Sequence, residues 1–173
     1  GSLLSNVGDR SIIDGFFANG GPCARLLEQR LSDRLDGAQC VTVSSGTSGL
    51  LVALRAAFGP PDPSRVVVTP SFTFAATACA IMWAGFQPLF VDVDGPTWQI
   101  DPSGLDAALD SGRDVAGVLA CSTFGASPPG WMRRAWRESC RSRGVPLVVD
   151  SAAAFGSIDD EGGASGALGD TEV

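Results

Sequence analysis

Short apolar runs rich in β-branched residues alternate with helical stretches along most of the chain, and that alternation leaves few folds open. The runs fall at residues 40–44, 65–69, 88–93, 115–122 and 146–150, each about the length of one strand. Runs as apolar as 65–69 and 146–150 suit strands buried on both faces, as in a parallel sheet covered by helices. Helical stretches read at 22–36, 49–58, 75–84, 101–109 and 131–143. Pro22 and Asp101-Pro102 open two of them, and Gly37, Gly85 and Gly144 close three, residues that start or stop helices for steric reasons. Within 22–36, Leu27, Leu31 and Leu35 form a stripe expected to pack into the core. The pattern predicts an α/β fold: three layers, with a mostly parallel sheet flanked by helices.

The run at 146–150 ends in Asp150, followed by the small residues Ser151, Ala152, Ala153 and Ala154. Ligands of open α/β sheets sit beyond the carboxyl ends of the strands, which puts Asp150 toward the expected site. A lone carboxylate there suits an ion pair with the protonated ring nitrogen of pyridoxal phosphate (PLP), and it equally suits a turn or helix N-cap. Ser45-Gly46-Thr47-Ser48 joins a strand to a helix, and its N–H groups and hydroxyls can either bind an anion or cap the helix through Thr47 or Ser48. Phe74 opens the helix at 75–84; on local pattern it reads as core, with stacking on a planar ligand as the other use of such a ring. Asp92 and Asp94 share a strand face, but Gly95 and Pro96 beside them indicate a solvated turn rather than an acid/base pair.

Two absences narrow the chemistry. The sequence has no histidine, which removes the usual imidazole base and the commonest metal ligand. It also has no lysine, all twelve basic residues being arginine, so it supplies no side-chain amine for a Schiff base. A net charge of −7 argues against nucleic-acid or anionic-membrane partners. Five cysteines without a CxxC pair read as reduced, mostly buried thiols of a cytoplasmic protein.

Several ordered motifs resemble the DegT/StrS-type PLP-dependent sugar aminotransferases, of the aspartate-aminotransferase fold (fold type I). Gly21-Pro22 with Glu28 is similar to the family's opening helix, and Ser45-Gly46-Thr47-Ser48-Gly49-Leu50 to its phosphate turn. Pro70-Ser71-Phe72-Thr73-Phe74-Ala75-Ala76-Thr77-Ala78 and Phe90-Val91-Asp92-Val93-Asp94 match two further family segments in order. Val148-Val149-Asp150-Ser151-Ala152-Ala153-Ala154-Phe155-Gly156 and Gly169-Asp170-Thr171-Glu172-Val173 match two more.

The resemblance implies that Asp150 pairs with the PLP ring nitrogen, that Phe74 stacks on the ring, and that Gly46, Thr47 and Ser48 hold the phosphate. Ala153 stands where the family has a glutamine near the phenolic oxygen, and Cys121-Ser122-Thr123-Phe124-Gly125 stands where a histidine-containing segment is usual. The Schiff-base lysine would lie beyond Val173, so no catalytic residue is expected in this chain. The expected organisation is an N-terminal arm, 1–21, and part of the PLP-binding large domain, 22–173. The implied activity transfers an amino group from an amino acid, glutamate by resemblance, to a keto-sugar, commonly nucleotide-linked, in a homodimer or with a complementing chain. The other reading is a lysine-free, non-catalytic homologue that acts as a binding or structural partner.

Overall fold

The computed structural model describes residues 15, 16, 18, 20–163 and 169–173. They fall into two units, Gly1–Val43 and Ser44–Val173; most of the expected arm, 1–21, lies outside the described residues.

The second unit is built on five parallel strands: β1 (Val66–Pro70), β2 (Gln87–Val91), β3 (Val115–Cys121), β4 (Leu147–Asp150) and β5 (Thr171–Glu172). They lie in the order β2-β1-β3-β4-β5. The chain therefore leaves β1 on one side for β2 and returns on the other side for β3, which makes the gap between β1 and β3 a topological switch point. Four helices follow the sequence pattern closely: α2 (Gly46–Phe58), α3 (Ala75–Trp83), α4 (Pro102–Leu109) and α5 (Gly130–Ser142), while α1 (Pro22–Arg34) belongs to the first unit.

Alternation along each strand divides the core between two sheet faces. Val67, Leu119 and Val148 pack with Leu50, Leu54 and Phe58 of α2 and Ile81 of α3. Val68, Val118, Ala120 and Val149 face the other way, onto Leu105 of α4 and Met132 and Trp136 of α5. Each fully buried aliphatic side chain in these layers stabilises the fold by about 1.5–3 kcal/mol. Trp136 meets its one polar need by donating from Nε1 to the Ile100 carbonyl at 3.0 Å. The three-layer α/β arrangement is the one expected.

Three local expectations fail. Residues 40–44 form no strand: Val41 and Val43 are exposed, and the Thr42 N–H and hydroxyl both donate to the Glu28 carboxylate at 2.8 Å. β-Propensity alone does not make a strand without a partner ladder. The leucine stripe of α1 is not core either, since Leu27 is half exposed and no residue of the helix is buried. Of the five cysteines, only Cys121 and Cys140 are buried.

Gly117 shows how tightly α2 seats on the sheet. A Cβ at this position would overlap the ring of Phe58, which packs edge-on against Phe86 with centroids 6.2 Å apart. Gly117→Ala is expected to cost about 1–3 kcal/mol by overpacking. Urea unfolding checks this, and an unchanged midpoint and slope would contradict it.

Candidate functional site

Asp150 is the last residue of β4, and the strand's alternation turns it to the face covered by α2 and α3. Its register partner on β3 is Cys121, so both side chains reach the same end of the sheet. The carboxylate is buried, 6% exposed. Its Oδ2 accepts a hydrogen bond from Thr77 Oγ1 of α3 at 2.9 Å, and Oδ1 accepts one from the Ala152 N–H at 3.2 Å. Each carboxylate oxygen has two lone pairs, so both keep capacity for a further donor. Among the described residues no arginine forms an ion pair with it.

A cavity of about 390 Å³ opens over this carboxylate, within the size range of small-molecule sites. Its walls come from the segments after three adjacent strands: Phe72, Thr73 and Phe74 after β1, Ser122 to Phe124 after β3, and Ala152 and Ala153 after β4, with Cys121 beneath. The site thus lies over the switch point. Phe74 is not core, as its local pattern suggested, but 74% exposed. It is the N-cap of α3, where the backbone is still extended and its ring projects from the helix start.

The expected phosphate turn opens α2. Ser45, not Thr47 or Ser48, is the cap: its hydroxyl accepts from the Ser48 N–H at 3.1 Å. Gly46, Thr47 and Ser48 make up the first helical turn; with the Ser48 N–H taken by the cap, those of Gly46 and Thr47 have no intrahelical acceptor. A Cβ on Gly46 would lie 3.7 Å from the Cβ of Ala152, which places this helix start beside the rim. Of the expected residues, Phe74, Asp150 and Ala153 line the cavity, Gly46 adjoins it, and Thr47 and Ser48 are not among its walls.

Sequence reasoning gave no role to Thr73, Thr77 or Cys121. The signal for Thr77 was present: it is the one hydroxyl in the otherwise apolar helix AATACAIMW. Burial pushes the Cys121 thiol up, and the Asp150 charge adds to that. Three aromatic rings stand at the mouth. Phe72, Trp98 and Phe124 meet edge-to-face with centroids 5.9–6.3 Å apart. Trp98 and Phe124 both have left-handed backbones, at φ 59° and 54°, which side chains of this size rarely adopt. The Asp94 carboxylate accepts from the Thr97 N–H and hydroxyl in the turn that carries Trp98. Among the described residues, no His/Cys/Asp/Glu cluster is set to hold a metal, and no helix is long and apolar enough to cross a membrane.

The helix-flanked parallel sheet is that of the fold type I PLP-dependent aminotransferases, and solved structures similar to this chain share it. Residues 8–173 match the DegT/DnrJ/EryC1/StrS aminotransferase family, and the chain belongs to that family. It is 36% identical over 160 residues to Protein Rv3402c of Mycobacterium tuberculosis, covering 91% of this chain and 38% of that one. It is 33% identical over 138 residues to UDP-2-acetamido-2-deoxy-3-oxo-D-glucuronate aminotransferase of Pseudomonas aeruginosa, covering 79% of this chain and 36% of that enzyme. The crystal structure of DesI in the presence of its TDP-sugar product superposes with a TM-score of 0.78 at 30% identity, over 98% of this chain and 41% of DesI. The chain therefore spans about two-fifths of the length of these relatives.

The thiols give a direct check on the environment around Asp150. Burial also pushes Cys140 up, to about 12, while Cys23 is exposed. A raised thiol pKa leaves less thiolate at any given pH, and thiolate is the reactive form. In iodoacetamide labelling near pH 8, followed by peptide mass mapping, Cys23 should react well before Cys121 and Cys140. Labelling of Cys121 as fast as Cys23 would contradict the buried setting.

Proposed function

We propose that this chain supplies the cofactor-holding part of a PLP-dependent aminotransferase that moves an amino group from an amino acid to a keto-sugar. The carrying observation is the Asp150 carboxylate: buried, hydrogen-bonded at both oxygens, and without a cationic partner among the described residues. Buried charges are stable when paired, and a protonated pyridine nitrogen is the counter-charge such a site accommodates. The exposed Phe74 ring on the same cavity supports a flat aromatic ligand over the carboxylate. The first turn of α2 supports phosphate binding through the N–H groups of Gly46 and Thr47, the hydroxyls of Thr47 and Ser48, and the helix dipole.

These residues fit the cofactor, whose bound ring supplies an electron sink for carbanion chemistry. Asp150 would keep its nitrogen protonated, Phe74 would hold the ring plane, and the α2 turn would anchor the phosphate. Ala153, at the rim, presents a methyl where the family's glutamine would offer a hydrogen bond. Residues 22–173 then belong to the large domain, and the amine-bearing side chain comes from sequence outside these residues or from a complementing chain. The acceptor is read as a keto-sugar, nucleotide-linked, because the relatives named for UDP- and TDP-sugars match over this same region. Glutamate as donor, a homodimer and a cytoplasmic setting complete the reading.

Titration with PLP, followed by absorbance and equilibrium dialysis, tests it. Saturable binding is expected, and Asp150→Asn should weaken it about ten- to a hundredfold, since a charge-assisted hydrogen bond contributes about 1.5–3 kcal/mol. Borohydride reduction and peptide mapping should place no pyridoxyl group on any internal side chain of these 173 residues. Equal affinity in Asp150→Asn, or an internal adduct here, would overturn the assignment.

A further inference from the structure

The carboxylate of Asp150 is held at two points, and one of them belongs to a different element of the fold. Thr77 is fully buried at the third position of α3, and its Oγ1 donates to Asp150 Oδ2 at 2.9 Å. A hydroxyl has one proton to give, and here it goes to the carboxylate. Behind it, Thr73 Oγ1 donates to Thr77 Oγ1 at 3.0 Å, which fills a lone pair of that hydroxyl and fixes the direction of the relay. Successive hydrogen bonds of this kind polarise one another in the same sense. The β-branched side chain of Thr77 has few rotamers in a helix, so the donor stays where the backbone puts it.

The same helical turn also carries Phe74. Phe74 is the N-cap of α3, and the Thr77 N–H donates to its carbonyl at 3.0 Å. One rigid turn therefore sets the ring that would lie on the ligand and the hydroxyl that aims the carboxylate. On the other side, Ala152 holds Oδ1 from the turn after β4. The carboxylate plane is thus fixed by α3 and by its own strand end together.

We propose that Thr77 is a positioning residue for Asp150, orienting the carboxylate toward the cofactor's ring nitrogen, with Thr73 ordering Thr77 from behind. This rests on the PLP reading above. Its action is confined to the ring nitrogen, whereas a hydroxyl that merely satisfied a buried charge would affect every ligand of the cavity alike.

The test compares affinities for PLP and for its deaza analogue, in which CH replaces the ring nitrogen and the phosphate and aldehyde are unchanged. Thr77→Val should weaken PLP about fivefold, the size of one typical net hydrogen bond, and leave the deaza analogue within about twofold. Thr77→Ser should restore the PLP affinity. Should the valine variant not fold, Thr73→Val carries the same comparison with the Asp150 donor kept, and a smaller selective loss of PLP affinity is expected. An unchanged PLP affinity in these variants overturns the proposal, as does a parallel loss of both ligands or a serine variant that does not recover. Absence of PLP binding by the parent protein overturns the PLP reading itself and this proposal with it, whereas parent binding with an unchanged PLP-to-deaza ratio overturns the positioning role alone.

Discussion

A carboxylate taken out of water must be compensated, and the compensation given to Asp150 organises the end of the sheet around it. Leaving such a group without partners costs several kcal/mol. Thr77 and the Ala152 N–H supply two partners, and each restricts a separate piece of chain. Thr77 ties the start of α3 to β4, and Ala152 closes the turn after β4 over the same oxygens. Pairing of Cys121 with Asp150 in the β3–β4 ladder fixes how far the strand reaches before it turns. Position, solvation and charge at the site are therefore set by elements distant in sequence.

The sheet topology explains why the site lies where it does. The switch between β1 and β3 parts the chain segments that follow them, and the opening is walled by Phe72 to Phe74 on one side and Ser122 to Phe124 on the other. Close backbone approach keeps the floor tight. Gly125 has φ 83°, and a Cβ there would lie 2.8 Å from the Ala153 carbonyl oxygen. A larger residue at 125 would push the turn after β3 away from the turn after β4. The strained backbones of Phe124 and Trp98 fit the same picture, since left-handed bulky residues persist where surrounding packing outweighs their cost.

Much of this was legible in sequence because it follows from local rules. β1 to β4 and the five α-helices of the described residues lie within a few residues of their expected bounds, since their apolar runs and Pro, Gly and Asp punctuation act locally. The cap at Asp101 was read correctly, and its side chain accepts from the Ser103 N–H at 3.1 Å. What failed depended on partners that local pattern does not specify. Residues 40–44 have strand composition but no ladder, and the stripe of α1 has helical spacing, yet no residue of that helix is buried. Phe74 looked like core because aromatics usually are; its exposure follows from its place as an N-cap at a strand end. Thr77 was passed over because its role needs Asp150, 73 residues away in the chain.

The turn after β4 also depends on how the chain behind it is held. Beyond Phe155 it runs into Asp159, a buried carboxylate 2.7 Å from the Arg133 guanidinium. Burial works against that charge, but the N–H groups of Gly163 and Glu161 together with Arg133 outweigh it and hold the carboxyl below its usual range. Asp160 accepts from the Gly130 N–H at 2.8 Å at the start of α5, and Glu161 pairs with Arg134. Three consecutive acidic residues thus fasten this loop to the first turns of one helix, where the dipole favours negative charge. Because α5 packs through Met132 and Trp136 onto the opposite face of the sheet, the segment carrying Ala152 and Ala153 is anchored at both ends. Asp150 fixes it in front, and Asp159 fixes it behind. A ligand entering the cavity meets a wall already in place, so less of its binding free energy is spent on ordering the chain.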